Sequence, residues 1–271
     1  MTNIKNRIGI CLGGGGALGF AHIGALQALG EHGVFPYRVS GASIGALIGV
    51  MYAAGYTPTQ ITEIVKEHKL YNITKIISPM EFGLKAGFSG HKSIEKLLRE
   101  YLPHNRFEAL QRPFAVSVAD LRAGEWKIVS SGGHLVEYVL ASMSIPLAFE
   151  PVNIGNGVYV DGGMMNNLPV EPLIGHCRRI IGVDVQTAHP FAGKVTRGNI
   201  LQITYRLFQK QMNRDRVAKC HSYLTFPELD EYGVSDFSKY EEITAIGYKR
   251  TKAYIAANPD VLTQRGRLWK L

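Results

Sequence analysis

The chain has 271 residues, 46% of them hydrophobic and 19% charged, and a formal net charge of +8. This composition is sufficient to bury one substantial core, and no repeat, low-complexity tract or long linker marks a second domain. The positive charge comes without an aromatic-rich platform or a nucleic-acid-binding motif, so we do not expect nucleic acid as a partner.

The N-terminal segment carries the first of two glycine-rich corners. Residues 7–12 are mostly apolar and predict a buried strand, and the sequence GGGGALG follows at 13–19. Apolar residues then recur at helical spacing until Gly33 and Pro36, which predict the end of a helix. The apolar stripe comprises Ala17, Phe20, Ile23, Leu26 and Leu29. The first corner is therefore predicted between a strand and a helix.

The second corner, GASIG at 41–45, holds a serine between another strand and another helix. Residues 37–40 predict a short strand that runs into Ser43. The predicted order is strand, corner, helix, strand, corner, helix. This order predicts one right-handed β-α-β unit with both corners at the same edge of the sheet. The stretch 39–62 contains no charged residue, but Pro58 and glycines at every fourth position indicate a helix packed on a sheet rather than a membrane span.

The remaining elements alternate in the manner of an α/β protein. We predict helices near 58–70, 91–102 and 135–143. We predict strands near 114–120, 126–129, 152–160, 180–185 and 223–226. The segment 71–90 mixes aromatic, apolar and basic residues with little periodicity, and we interpret it as a flap over the site.

The segment 194–221 carries seven Lys or Arg residues against one acid, Asp215. Its apolar stripe comprises Ile200, Ile203, Leu207 and Phe208. We expect this stripe to face the core while the charges face solvent. The alternative is a basic amphipathic helix that makes peripheral contact with an anionic membrane surface.

The two corners together supply the minimum equipment for acyl transfer. A serine hydroxyl at a sharp strand-to-helix turn is exposed to a substrate, as a nucleophile must be. The backbone N–H groups of Gly14, Gly15 and Gly16, at the start of a helix, are suited to stabilise the oxyanion of a tetrahedral intermediate. We therefore interpret Ser43 as the nucleophile of a serine hydrolase. The alternative is that the glycines only allow close packing of helix on sheet.

A dinucleotide-binding loop is the rival functional interpretation of the first corner. Gly14, Gly16 and Gly19 fit its fingerprint, but that function needs an acid at the end of the second strand, and residues 34–45 contain no Asp or Glu. No Gly-Lys-Ser/Thr sequence follows for a phosphate-binding loop, and no His, Cys and Asp cluster has the spacing of a metal site. We expect neither a cofactor nor a metal.

The usual partners of a catalytic serine are missing. Ser43 lies too early in the chain for an α/β-hydrolase, and the last histidine, His221, lies in the basic segment. A Ser-x-x-Lys pattern fails at Ser43, because residue 46 is alanine. The pattern does occur at 89–92 and 93–96, where helix capping explains it better.

Asp161 is the best candidate for the base. An apolar run at 158–160 ends in this acid, and Gly162 and Gly163 follow, so the carboxylate is predicted at a strand end with little bulk around it. A carboxylate that works directly as a base needs a raised pKa and a dry site. The alternative is a plain turn, for which Asp-Gly-Gly is a common sequence.

These motifs resemble those of the patatin-like phospholipase family, in its compact bacterial form. The glycine loop at 13–19, GASIG at 41–45 and DGGMMNNLPV at 161–170 carry the resemblance in the family's order and spacing. The segments 141–146 (ASMSIP) and 150–152 (EPV) are similar to the stretch that precedes the family's aspartate.

The resemblance implies a fold and a domain organisation. The fold is α/β, a three-layer α/β/α sandwich with a mostly parallel central sheet. We expect one domain over residues 1–271, with the core motifs within about 7–186 and C-terminal helices and a strand in 187–271.

The resemblance also implies roles for the site residues. Ser43 and Asp161 would form a catalytic dyad without histidine, and Gly14, Gly15 and Gly16 would form the oxyanion hole. Supporting positions in the motifs are Gly19, Gly41, Gly45, Gly162 and Gly163.

Family members act on fatty acyl esters of phospholipids, lysophospholipids and neutral lipids, or on thioesters, and some transfer acyl groups. We therefore expect a lipid or acyl-ester substrate. One departure is Leu18, where the family usually carries Arg or Lys; it leaves open a catalytically weakened lipid- or protein-binding module. Leu147 also replaces a frequent glycine, which we interpret as packing variation.

The cysteines and the N-terminal segment indicate where in the cell the protein is expected. Cys11, Cys177 and Cys220 are far apart, which argues against a disulfide framework and for a reducing environment. No apolar segment follows basic residues at the N-terminus, so we do not expect a signal peptide. The expected location is the cytoplasm, with peripheral contact at the membrane.

Overall fold

The predicted strands pair into one mixed sheet in a computed structural model, which describes residues 7–71, 86–146, 148–186, 195–196 and 200–259. The strands are β1 (Ile8–Leu12), β2 (Arg38–Gly41), β3 (Phe114–Asp120), β4 (Glu125–Val129), β5 (Val152–Ile154), β6 (Gly157–Asp161), β7 (Arg179–Asp184) and β8 (Ser222–Thr225). The α-helices of the described residues are α1 (Ala21–Glu31), α2 (Ile44–Ala53), α3 (Pro58–Glu67), α4 (Ala86–Tyr101), α5 (Leu135–Ser142), α6 (Ile200–Val217) and α7 (Tyr240–Ala257).

The strand order places both corners at the centre of the sheet. It runs β5-β6-β3-β2-β1-β7-β8, and β4 pairs with β3 beside this path. Strands β3, β2, β1, β7 and β8 pair in parallel, whereas β4, β5 and β6 add antiparallel pairs. Helices flank the sheet, which confirms the predicted α/β/α sandwich with a mostly parallel sheet.

Complete burial explains the long apolar runs in the sequence. Every residue of β3 is buried, as expected for a strand covered on both faces. Every residue of α2 is buried as well, which accounts for its lack of charge, because a helix that is apolar on all sides belongs in the interior. Of the helices that the structure describes, none combines the length and apolar character that a membrane crossing needs.

The C-terminal helix α7 packs against the start of α1. The ring of Phe20 makes edge contacts with Phe237 and Tyr240, at centroid distances of 6.0 and 5.9 Å. The Thr244 hydroxyl donates to the carbonyl of Phe20 over 3.3 Å. Phe20 ends the 3₁₀ helix Gly16–Phe20, which includes the second half of the glycine loop. The start of α7 and the short 3₁₀ helix before it, Phe237–Lys239, therefore pack against the first corner.

The predicted strand at 152–160 is wrong in one respect, because two strands form there. β5 and β6 are an antiparallel hairpin in which Val152 pairs with Tyr159. Gly155 has a φ of 58° and turns the chain together with Asn156. Glycine in this left-handed conformation is the local signal that divides the run.

The predicted flap at 71–90 lies mostly outside the described residues. Residues 72–85 are not described, and α4 begins at Ala86 rather than near residue 91 as predicted.

Helix α6 exposes the apolar residues that were expected to face the core. Ile200, Leu207 and Phe208 are 54%, 62% and 48% exposed, whereas Gln209 and Asn213 are 3% and 4% exposed. The prediction of a core-facing apolar stripe is therefore wrong for these three residues. The physical reason is that α6 lies over the polar carboxyl edge of the sheet, where the Gln209 amide donates to the Gly163 carbonyl.

Candidate active site

Ser43 lies on a sharp turn between β2 and α2. It is the N-cap of α2, with φ 53° and ψ −130°, a conformation that non-glycine residues rarely adopt. Its backbone N–H donates to the Ser142 hydroxyl over 2.9 Å. Backbone strain of this kind persists only where the surrounding structure imposes it, and such positions are concentrated at functional sites.

The two glycines of GASIG are required by close approach of the backbone. A Cβ at Gly45 would lie 2.2 Å from the Leu12 carbonyl oxygen, and a Cβ at Gly41 would lie 2.5 Å from the carbonyl oxygen of Gly45. Both distances are well below van der Waals contact. The start of α2 is thus pressed against the end of β1, which brings the serine turn beside the glycine loop.

We expect the variant Gly45→Ala to lose about 3 kcal/mol of unfolding free energy or more, because the backbone of β1 must shift to admit the methyl group. Gly30→Ala in α1 is the matched control: its new Cβ would meet nothing closer than 3.6 Å, and alanine is favoured over glycine in a helix by about 0.5–1 kcal/mol. Urea unfolding measures both variants. Equal stability of the two would contradict the close contact at Gly45.

The strand that leads to Ser43 (β2) and the strand that ends at Asp161 (β6) pair with the same edge of β3. β4 occupies the other edge of β3, since Val116 and Val118 pair with β4 as well. On the shared edge, Gly41 of β2 pairs with Val116, and Asp161 of β6 pairs with Val118. β2 is parallel to β3 and β6 is antiparallel, so their carboxyl ends converge on Ser117. This pairing brings Asp161 to Ser43.

Gly162 allows the chain, at the end of β6, to pass close to the backbone of β3. A Cβ there would lie 2.3 Å from the carbonyl carbon of Ser117. The chain then turns into a short 3₁₀ helix, Gly162–Met164, which begins directly after Asp161.

Asp161 is a buried carboxylate beside the Ser43 hydroxyl. The side chain is 4% exposed and accepts a hydrogen bond from the Gly163 N–H over 2.7 Å, and the neighbouring Ser43 hydroxyl also lowers its pKa. Burial raises the pKa of Asp161 to about 7, and the lowering effects of Ser43 and of the Gly163 N–H only partly offset it. No cation of the described residues contributes to lowering it.

The peptide unit between Gly13 and Gly14 is held from both sides. His22 Nε2 donates to the Gly13 carbonyl over 2.7 Å, while the Gly14 N–H donates to Asn167 Oδ1 over 3.0 Å. Asn167 Nδ2 in turn donates to the Gly14 carbonyl over 3.2 Å. Burial lowers the pKa of His22 to about 4, so the ring is neutral at pH 7, with its proton on Nε2 because a carbonyl only accepts.

The three glycines predicted as oxyanion donors are not equivalent. The N–H of Gly14 is engaged by Asn167. Across the described ranges, the N–H groups of Gly15 and Gly16 have no hydrogen-bond partner. A Cβ at Gly14 would lie 2.9 Å from Ser43 Cβ, so the loop lies directly against the serine.

Leu18, which departs from the family pattern, is a core residue. Its side chain is 0% exposed and belongs to the main hydrophobic cluster. An arginine or lysine at this position would bury a charge, which is costly without a partner. Leu18 therefore serves packing in this chain.

Three residues that hold the site were not assigned a role from the sequence. Ser142 fixes the backbone of Ser43, the Ser144 carbonyl accepts the N–H of Asp161 over 3.0 Å, and Asn167 fixes the glycine loop. All three lie in motifs that the sequence analysis did single out. Their spacing gave no further signal, because each contact joins distant parts of the chain.

The cysteines are unpaired. Cys11 and Cys177 are buried and Cys220 is half-buried. Within the part of the chain that the structure describes, no three His, Cys, Asp or Glu side chains are grouped as metal ligands.

Relatives share the sequence of this region but are much longer proteins. The chain is 27% identical to Lysophospholipase NTE1 of Saccharomyces cerevisiae, over 89% of this chain and 16% of that protein. It is 29% identical to human Patatin-like phospholipase domain-containing protein 6, over 92% of this chain and 20% of that protein. The chain thus spans about a sixth to a fifth of the length of these curated relatives.

The fold is shared with a solved structure. The crystal structure of VipD from Legionella pneumophila superposes with a TM-score of 0.51 at 16% identity, over 93% of this chain and 67% of that chain. The family model for patatin-like phospholipases matches residues 10–174. Because this match covers more than half of the chain, including Ser43 and Asp161, the chain belongs to the patatin-like phospholipase family.

Proposed function

We propose that the chain is a serine acyl hydrolase that cleaves a fatty acyl ester of a lipid through a Ser43–Asp161 dyad. The observation that carries the proposal is the position of the Ser43 hydroxyl beside a buried carboxyl whose pKa is raised to about 7. A general base is most effective when its pKa lies near the working pH. Asp161 has that property without a histidine.

The first half of the reaction forms an acyl-enzyme. Ser43 Oγ attacks the ester carbonyl carbon while Asp161 takes the hydroxyl proton. The tetrahedral intermediate collapses, the bond to the alcohol breaks, and Asp161 returns the proton to the leaving oxygen. In the second half, Asp161 takes a proton from water as the water attacks the acyl carbon. The bond to Ser43 Oγ then breaks, Asp161 returns the proton to that oxygen, and the fatty acid and the free serine hydroxyl are released.

The glycine loop would stabilise the oxyanion of both tetrahedral intermediates. Gly15 and Gly16 offer N–H groups without partners among the described residues, beside the serine. Gly14 would contribute by exchanging its bond to Asn167 for one to the oxyanion, or by keeping the loop in place through that bond. Each preorganised donor of this kind is worth about 3 kcal/mol of transition-state stabilisation.

The names of the relatives favour a lipid ester as the substrate. Relatives from yeast are lysophospholipases and the mammalian ones are patatin-like phospholipase proteins.

The exposed Ile200, Leu207 and Phe208 of α6, together with its Arg and Lys residues, support peripheral contact with an anionic membrane surface. A binding module without activity is less favoured, because Leu18 is a core residue and Ser43 lies beside the buried carboxyl of Asp161.

Covalent labelling tests the proposal. We expect a fluorophosphonate to modify the wild-type chain once, at Ser43, because only an activated serine reacts at neutral pH. Intact-mass and peptide mass spectrometry locate the adduct. A folded chain that remains unmodified, and that hydrolyses no p-nitrophenyl ester, would overturn the assignment as an enzyme.

A further inference from the structure

Helix α6 presents two polar residues to the loop that carries Asp161. Tyr205 and Gln209 are one helical turn apart and therefore lie on the same side of α6. Gln209 is 3% exposed and Tyr205 is half-buried. The side-chain nitrogen of Gln209 donates both to the Gly163 carbonyl and to the Tyr205 hydroxyl oxygen. Neither residue belongs to the motifs that carry the family resemblance, and the dyad mechanism gives neither of them a role.

The direction of these bonds leaves the hydroxyl proton of Tyr205 free. A carbonyl oxygen only accepts, so the nitrogen of the Gln209 amide is the atom that faces Gly163. The same nitrogen contacts the Tyr205 hydroxyl, and because an amide nitrogen only donates, the phenol oxygen accepts. Among the described residues, the Tyr205 hydroxyl has no other hydrogen-bond partner. Its proton is therefore available to a substrate or to water.

Tyr205 is also close to the proposed base. Gly163 accepts the Gln209 bond at its carbonyl and donates its own N–H to Asp161 Oδ1 over 2.7 Å. Gly163 thus links Gln209, and through it Tyr205, to the base. Burial raises the pKa of the Tyr205 phenol, and the negative charge of Asp161 raises it further. The phenol is therefore neutral over the pH range in which Asp161 titrates, and it keeps a proton that it can donate.

The proposed reaction contains one oxygen atom to which no donor has been assigned. In the first half this atom is the alcohol oxygen, which leaves and receives a proton from Asp161. In the second half it is the water oxygen, which attacks and gives a proton to Asp161. Each step is chemically the reverse of the other, so the two oxygens occupy the same place beside Asp161. The N–H groups of the glycine loop serve the carbonyl oxygen instead.

We propose that Tyr205 is a further catalytic residue, whose hydroxyl donates a hydrogen bond to this oxygen in both halves of the reaction. The bond stabilises the negative charge that develops on the alcohol oxygen as the C–O bond breaks, and it holds the water for attack. Tyr205 keeps its proton throughout, because Asp161 makes every proton transfer. Gln209 is a positioning residue, because it fixes the phenol oxygen. The inference rests on the proposed function, since it concerns the same reaction.

The leaving group tests the role of Tyr205 in the first half. p-Nitrophenyl octanoate and 1-octanoylglycerol carry the same acyl chain, but p-nitrophenolate leaves without a proton, whereas the glycerol oxygen must be protonated. We expect Tyr205→Phe to lower kcat/KM for 1-octanoylglycerol about tenfold or more, which is the effect of one hydrogen bond to a charged group. The value for p-nitrophenyl octanoate should change less than about threefold, because kcat/KM reports the acylation step.

Burst kinetics test the second half. In Tyr205→Phe the attack of water is slowed while p-nitrophenolate still leaves fast, so the acyl-enzyme accumulates. Stopped-flow absorbance should show a burst of about one equivalent of p-nitrophenolate per chain, followed by a steady rate about tenfold or more below that of the wild type. A tyrosine with a purely structural role would affect both esters alike and would produce no burst.

Two further variants separate the hydroxyl group from the packing of the ring. Gln209→Met keeps the length of the side chain but no longer fixes the phenol oxygen, so it should also lower kcat/KM more for 1-octanoylglycerol than for p-nitrophenyl octanoate. Tyr248→Phe is the matched control: it removes a phenol hydroxyl that donates to Glu31 at the surface, and it should leave both values unchanged. Melting followed by circular dichroism checks that each variant is folded.

The outcomes distinguish this proposal from the proposed function. If the wild type cleaves both esters and Tyr205→Phe lowers the two values equally, or lowers neither, the role of Tyr205 is overturned and the hydrolase stands. If the wild type cleaves neither ester, the hydrolase itself fails, and the role of Tyr205 fails with it.

Discussion

Replacing Ser43 with alanine is expected to lower the hydrolysis of p-nitrophenyl esters by about 10⁴-fold or more, because no acyl-enzyme forms without the hydroxyl. The fold should be unaffected. Alanine keeps the Cβ at the turn, and the bond to Ser142 is made by the backbone N–H of residue 43. We expect a melting temperature within about 2 °C of the wild type, measured by circular dichroism.

Ser130→Ala is the matched control for this variant. Ser130 is exposed, in the loop after β4, and loses the same hydroxyl group outside the site. It should keep wild-type turnover. More than about a tenth of the activity in a pure, folded Ser43→Ala sample would mean that another nucleophile is used.

The two corners were predictable because their requirements are local. A strand that ends in glycine loops and a serine flanked by glycines are visible in a few consecutive residues. The structure shows the reason: Gly45 must lie against the carbonyl of Leu12, a contact within one β-α-β unit. Local patterns of this kind specify both the residue type and its place on the sheet.

The meeting of Asp161 with Ser43 depends on pairing that no local pattern reveals. The sequence predicted a strand that ends at Asp161, but not that it runs antiparallel to β3 and shares an edge with β2. The roles of Ser142 and Asn167 were hidden for the same reason. Each donates or accepts across a large separation along the chain.

Helix α6 shows a different limit of sequence reasoning. The periodicity predicted an amphipathic helix, and an amphipathic helix does form. Periodicity does not say which side faces the protein, and the usual assumption of an apolar core-facing side failed for Leu207 and Phe208. The polar edge above Asp161 and Asp184 selects the side that carries Gln209 and Asn213.

Replacing Asp161 with asparagine is expected to lower kcat by about 10³-fold or more while the protein remains folded, since asparagine is isosteric but cannot accept the serine proton. In the wild type, kcat/KM for a p-nitrophenyl ester should rise with pH through a midpoint near 7, because the base acts only as the carboxylate and its pKa is raised to about 7 by burial. A wild-type profile that is flat between pH 5 and 9 would contradict this role, as would full turnover in the variant.

Stability distinguishes a catalytic Asp161 from a structural one. Its folded pKa lies above its unfolded value, so the wild type binds the proton more tightly when folded and loses stability as pH rises from about 4 to about 7. Asparagine removes that penalty and keeps an acceptor for the Gly163 N–H. We expect the melting temperature of Asp161→Asn to exceed that of the wild type by roughly 2–5 °C at pH 8, and the difference to vanish near pH 4.

Asp120→Asn, in strand β3 of the same sheet, is expected to change the melting temperature at pH 8 in the opposite direction to Asp161→Asn. Lys127 pairs with Asp120 over 2.8 Å and, with backbone hydrogen bonds, lowers the pKa of Asp120 to about 2. The wild type therefore gains stability from this carboxylate above pH 4 and loses it toward pH 2, and the variant should melt below the wild type at pH 8. If Asp161→Asn also melts well below the wild type at pH 8, Asp161 serves the fold, and the base must be sought elsewhere.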